Sequence, residues 1–162
     1  MTTNEFVFFY GGIYSQWYAY NMEVDGVMYN CAEQYMMAMK AKTFNDTASL
    51  QKIMSTDDPS YQKALGRKVA GFDPNVWNSV AKNHVIKANL AKFSGSLKQQ
   101  LLNTGDREIV EASPYDKIWG IGLGMTDARI FDKAKWQGTN WLGECIMEVR
   151  ETFKEELRSG AW

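Results

Sequence analysis

From Asn140 onward, Leu142, Cys145, Ile146, Val149, Phe153 and Leu157 recur at i, i+3, i+4, i+7, i+11 and i+15, with Glu144, Glu148, Glu151, Lys154 and Glu155 between them. That spacing keeps apolar side chains along one edge of a 3.6-residue turn and charges along the other, so it predicts an amphipathic helix with one face to bury. The rest of the chain has to supply the surface which that face covers.

The other elements are read from punctuation and period. Phe6-Val7-Phe8-Phe9-Tyr10 is a short aromatic, β-prone run ended by Gly11-Gly12, and a loop with Ser15, Gln16, Trp17 and Tyr18 follows. In Met22-Glu23-Val24-Asp25-Gly26-Val27-Met28-Tyr29, Asp-Gly between alternating triplets predicts a hairpin, because both residues tolerate the positive φ of a type I′ turn. Asn30 is expected to cap a helix running to about Lys42. Asp57-Asp58-Pro59 and Asp73-Pro74 are two further starts, an acidic cap followed by proline at the first helical position. The second opens a long helix over about residues 74–93. On its wheel Trp77, Val80, Ala81, His84 and Ala88 share one face, and Ile86, Leu90 and Phe93 lie opposite. A helix apolar on two sides is expected at the centre of a fold. Ser96 is the expected cap of a shorter helix with Leu97, Leu101 and Leu102, stopped near Gly105. Residues 107–112 and 117–121 are strand-like, and 122–138 has no clean period and reads as a loop.

Those elements make an α+β chain, predominantly helical with a few short strands. Its 162 residues, without repeat, low-complexity tract or linker, are expected to form a single domain over 1–162. A formal net charge of −1 argues against a general duplex-DNA binder, which needs a basic surplus to neutralise phosphates. It leaves room for a local cation cluster that holds one or two phosphates. Cys31 and Cys145, with no signal-peptide pattern, point to a reducing, cytoplasmic setting, and no run is long enough to span a membrane. A lone His84 and two distant cysteines give no metal site of ordinary spacing, so neither a metal nor another cofactor is expected. Aromatic residues are 14% of the chain; most are expected in the core, and some in a pocket for a planar base.

Cleaving an N-glycosidic bond passes through an oxocarbenium-like state and needs a carboxylate near the anomeric carbon. Glu33 is one candidate. Counted from Asn30 it falls at N3, the capping-box position, so a structural role competes with a chemical one. Lys40 lies on the same helical face as Glu33, about 10 Å along the axis, a span suited to a sugar and a phosphate of one ligand. Asp116-Lys117-Ile118-Trp119-Gly120-Ile121-Gly122-Leu123-Gly124 sets a carboxylate ahead of a tryptophan and alternating glycines that allow close backbone approach. The same run also reads as a plain glycine-rich strand end. Leu65-Gly66-Arg67-Lys68 puts two cations at a helix end, either for the helix dipole or for a phosphate.

In order, several segments resemble the NADAR (YbiA-like) family. They are Gly12-Ile13-Tyr14-Ser15-Gln16-Trp17-Tyr18, Val24–Tyr29 leading into Ala32-Glu33-Gln34-Tyr35 and Lys40, Leu65-Gly66-Arg67-Lys68, and Trp77. Leu101–Asp106, Ile109-Val110-Glu111-Ala112-Ser113-Pro114, Asp116–Gly122, Asn140-Trp141-Leu142-Gly143 and Met147-Glu148-Val149-Arg150 continue the series. The resemblance spans about residues 8–157. It implies that family's fold and hydrolysis of an N-glycosidic bond without a metal. The implied substrates are a ribosylamino-pyrimidine phosphate of riboflavin synthesis or ADP-ribose on a guanine base of nucleic acid. It implies Glu33 as the catalytic carboxylate; Ile121 stands where some members carry Asp, and if that Asp assists catalysis there, this chain uses Asp116 as its second carboxylate or manages without one. Ser15, Trp17, Tyr18, Lys40, Arg67, Trp77, Trp119, Gly120, Gly122 and Asn140 are the implied substrate-binding residues. Gln16 replaces the usual Asn of the first loop, and 125–137 matches nothing in the pattern. A non-catalytic ADP-ribose- or NAD-binding module is the alternative.

Overall fold

The computed structural model describes residues 1–160. In chain order the elements are β1 (Phe6–Phe9), β2 (Met22–Val24), β3 (Val27–Tyr29), α1 (Ala32–Thr43), α2 (Thr47–Met54), α3 (Pro59–Gly66), α4 (Pro74–Lys92), α5 (Gly95–Asn103), β4 (Glu108–Glu111) and α6 (Trp141–Arg158). Six helices and four short strands make the described residues α+β and mostly helical, as the patterning implies. The elements group into two compact units. One joins Met1–Ser15 to the chain from Phe93 onward, and the other is Gln16–Lys92.

In the first unit β1 pairs in parallel with β4, Phe6 facing Glu108 and Phe9 facing Glu111. All four residues of β1 are buried. Phe6, Phe8, Val110 and Ala112 meet Ile121, Leu123 and Ile130 in one apolar cluster, with Met125 and Trp136 packed against it. The aperiodic 122–138 segment therefore supplies core, with short 3-10 turns at Ala128–Phe131 and Lys133–Lys135. Helix α6 lays its stripe on β4 and on α5. Leu142, Cys145, Ile146, Val149 and Phe153 are buried, but Leu157 is exposed, so the stripe ends a turn early.

The approach of α6 to β4 is close enough to demand glycine. A methyl group at Gly143 would collide with the Ile109 carbonyl oxygen and the Asn140 amide. Residues 117–121 do not form the expected strand. Asp116 Oδ1 accepts the N–H groups of Ile118 and Trp119, which curls the chain into a turn, and only Ile121 N–H reaches β4, at the Glu111 carbonyl. Helix α5 begins earlier than expected, with Ser94 rather than Ser96 at its N-cap.

In the second unit the Asp25-Gly26 turn forms as its chemistry dictates: φ is 51° and 81° at the two residues, and Val24 faces Val27 across the hairpin. Asp58 caps α3 by accepting Ser60 N–H, with Pro59 at the first position. Helix α1 takes the central place that the wheel assigned to α4. Its residues from Ala32 to Ala38 are all buried, and it packs against α2, α3, α4 and β3. Helix α4 instead buries a single stripe: Trp77, Ala81, Val85, Ala88, Asn89 and Lys92. Helix α2 has no counterpart in the pattern reading. Its cap is Asp46, whose carboxylate accepts the Ser49 N–H and hydroxyl and the Ala70 N–H. Those bonds hold its pKa down at about 2.

Two substitutions test this packing. Gly143→Ala should cost about 3 kcal/mol or prevent folding, because the clash is with backbone; an unchanged urea midpoint would contradict the α6–β4 approach. Trp77 is 5% exposed and lies flat on His84, ring centroids 5.8 Å apart. Trp77→Ala should cost roughly 3–5 kcal/mol by the same measurement.

Candidate active site

Glu33 lies in the first turn of α1 and is buried, with 6% of its surface exposed. The helix starts one residue later than Asn30 suggests. Cys31 is the N-cap, so Glu33 sits at N2 and the capping-box position passes to Gln34. Gln34 reaches back one residue beyond the cap: its Oε1 accepts the Asn30 N–H at 2.8 Å, and its amide donates to the Ile53 carbonyl. The Asn30 side chain is occupied elsewhere, donating to the Asp57 carbonyl and accepting from Gln62 Nε2. The N3 position of the helix thus falls to Gln34 rather than to Glu33. The Glu33 backbone N–H donates to the Gln16 carbonyl at 2.9 Å, which ties the helix start to the loop carrying Trp17 and Tyr18.

Lys92 stands at the end of α4 and is fully buried, with 0% exposure. Desolvation pulls its amine down to about 7, with the Cys31 thiol opposing weakly. Its Nζ lies 5.6 Å from the centre of the Tyr18 ring. Burial pushes the Cys31 thiol up, with lesser influences from the helix N–H groups, from Glu33 and from Lys92. Near neutral pH a buried amine of this kind exists in both protonation states, the property wanted in a group that hands over a proton. Lys92 is absent from the residues the sequence pattern points to. Its signal was present: Ala81, Val85, Ala88 and Lys92 continue one buried stripe, and a lysine in register with such a stripe is not a solvated helix end.

Lys40 comes from the same α1 face as Glu33, and Met37 lies between them. Gly66 lets the end of α3 close on Met37, where a methyl group would strike the thioether. Arg67, at the C-cap of α3, therefore joins the same neighbourhood. Burial lowers the Lys40 amine; the Glu33 charge works against that shift and the Arg67 charge adds to it. Lys40 Nζ also sits 4.5 Å over the Phe72 ring. Trp17 is 45% exposed and Tyr18 half-buried, so the loop offers aromatic surface. Trp77 belongs to the packed interior described above.

The remaining candidates belong to the first unit, where their contacts build a turn. Ser15 N–H donates to the Gly12 carbonyl. Asp116 Oδ1 is engaged by the two N–H groups named above. Trp119 meets Trp141 edge-on, with centroids 5.6 Å apart. Gly122 has a φ of +71°, and Gly120 is packed between the Asp116 and Glu111 carbonyls. Asn140, in the left-handed region, is buried, and its amide bonds to β4 like a strand: Nδ2 donates to the Ile109 carbonyl and Oδ1 accepts the Glu111 N–H.

Both the sequence and the fold match known proteins. The family model described as NADAR domain matches residues 8–154. The N-glycosidase R617 of Acanthamoeba polyphaga mimivirus is 42% identical over 93% of this chain and 98% of its own. The N-glycosidase YbiA of Escherichia coli (strain K12) is 30% identical over 90% of this chain and 83% of its own. The solution structure of E. coli YbiA superposes with a TM-score of 0.78 at 28% identity, covering 96% of this chain and 89% of that one. The riboflavin biosynthesis protein VVA0006 of Vibrio vulnificus is 27% identical over 89% of this chain, which spans 36% of that protein. The chain belongs to the NADAR domain family.

Proposed function

We propose that this protein is an N-glycosidase that hydrolyses the bond between a ribose carbon and a base nitrogen. Its substrate is a ribosylamino-pyrimidine phosphate or an ADP-ribosylated guanine. One observation carries the reading: a buried carboxylate, Glu33, and a buried amine titrating near neutrality, Lys92, are drawn to the same end of the second unit. Cys31, the residue just before α1, feels both charges. The relatives that bear the name N-glycosidase support the reaction class, and the Vibrio relative's name supports the pyrimidine substrate.

Water attacks the anomeric carbon as the carbon–nitrogen bond breaks, and the bonding pair stays on the departing nitrogen. Glu33, ionised, steadies the positive charge that develops on the sugar and accepts the water's proton. The Lys92 ammonium delivers a proton to the departing nitrogen, and solvent returns the Glu33 proton to the amine. Lys40 and Arg67 suit a phosphate, and the aromatic loop at Trp17 and Tyr18 suits a planar base. Catalysis by this route uses side chains alone and needs no metal. A cytoplasmic setting fits two buried cysteines held as thiols. No helix among the described residues is long and apolar enough to cross a membrane.

The test is base release by chromatography from both substrates in parallel. Wild type should release base from one of them, and Glu33→Gln should lower turnover by about 10²–10⁴-fold while leaving the fold intact. Tight binding with no release would mark a binding module instead. Lys92 gives a separate signature. Between pH about 7 and 10.5 the folded chain binds fewer protons at this site than the unfolded chain, so stability must rise with pH across that window. From pH 7 to 9 the wild type should gain about 2 kcal/mol relative to Lys92→Met in urea titrations. Turnover should fall over the same range as the ammonium is lost, and parallel stability curves for the two proteins would remove the proposed titration.

A further inference from the structure

Two buried amides link the elements that carry Glu33 and Lys92. Gln16 is 8% exposed and Asn89 0%. Asn89 Nδ2 donates to Gln16 Oε1 at 3.0 Å and to the Val85 carbonyl of its own helix at 2.8 Å. The backbone carbonyl of Gln16 accepts the Glu33 N–H at 2.9 Å. The Gln16 amide nitrogen lies 3.9 Å from Met36 Sδ on α1. Asn89 and Lys92 are three residues apart on α4, hence on one helical face. A continuous path therefore runs from Glu33 through Gln16 and Asn89 to the turn that bears Lys92.

This pair is a poor device for stability alone. Asn89 Oδ1 is buried with no hydrogen-bond partner among the described residues, and the sulfur contact of Gln16 is a weak one. An orphaned buried acceptor is a net cost to the fold, which an apolar pair of the same volume would avoid. What the amides do supply is a fixed span. Hydrogen bonding holds Gln16, two residues from Tyr18, against α4, and so keeps the aromatic ring over the Lys92 amine.

We infer that Gln16 and Asn89 are positioning residues that set the separation of the Glu33 carboxylate from the Lys92 amine and keep water from the amine. The inference rests on the proposed N-glycosidase reading for its kinetic consequence and is independent of it for its structural one. Groups that face Lys92 include the Cys31 thiol ahead of α1 and the Tyr18 ring of the loop, with Glu33 two residues beyond Cys31. Loosening the strut admits water to that neighbourhood, which returns the amine toward its ordinary value.

A reciprocal exchange tests this. Gln16→Asn shortens one arm by a methylene and breaks the span; adding Asn89→Gln restores the total length. In the protein without substrate, the titration of Lys92 is followed by NMR of isotope-labelled lysine, assigned by the signal missing from Lys92→Arg. In Gln16→Asn its midpoint should move upward from about 7, and in the double variant it should return. With substrate, Gln16→Asn should lower kcat by about 10–100-fold with KM little changed, and the double variant should recover. An unmoved titration in folded Gln16→Asn overturns the inference, and so does a folded double variant that fails to recover. If Gln16→Asn does not fold, the double variant alone decides by the same two readings. Because the titration needs no substrate, a wild type that releases no base counts against the N-glycosidase reading and leaves the positioning role to be decided by NMR.

Discussion

The first two turns of helix α1 are buried throughout, and that burial governs much of the rest. A helical stretch with no solvent face must satisfy its polar side chains from within. Gln34 does so by bonding the chain before the helix and the end of α2, and Glu33 lies in the first turn, where a negative charge is favoured by the helix dipole. The unit thus holds a buried carboxylate at the start of its central helix. Cys31, Gln62 and Asn30 close the polar layer beside it, with the thiol donating to Gln62 Oε1 at 3.3 Å.

Lys92 shows the complementary strategy. Burying an ammonium is unfavourable, and burial draws the amine toward neutrality. Elsewhere cations are treated conventionally. Arg150, also buried, is bonded to Thr104 and to the Arg107 carbonyl, and Lys154 reaches Asp106 and the Gly105 carbonyl. Those contacts dock the turn after α5 onto α6, which is a structural use of charge.

Much of the fold was legible because its signals are local. Asp25-Gly26, Asp58-Pro59 and the α6 stripe each rely on dihedral preference or period within a few residues, and each formed as read, save for the last turn of the stripe. Failures arose where a distant partner outweighed a local preference. Asn30 has the better capping side chain, but Asp57 and Gln62 engage it and the cap moves to Cys31. Residues 117–121 alternate like a strand, yet Asp116 and the segment 139–142 take their backbone groups. In the candidate site, Glu33 is legible through the family motif. Lys92 was overlooked because a lysine in the last turn of a helix ordinarily answers the dipole, and only the burial of α4 distinguishes the two cases.

The parallel pairing of β1 with β4 places an unusual demand on the emerging chain. Phe6-Val7-Phe8-Phe9 leaves the ribosome ahead of Gln16–Lys92, and its partner at Glu108–Glu111 is translated only after all of that stretch has been made. Throughout that interval an aromatic strand with an unsatisfied edge is carried by a nascent chain, the kind of segment that associates with copies of itself. The second unit, one continuous stretch of chain, can meanwhile fold on its own schedule, whereas the first must await a loop closure that spans it. Synthesis of this protein therefore favours conditions in which the N-terminal strand is shielded, and the late arrival of one four-residue strand sets the pace of its completion.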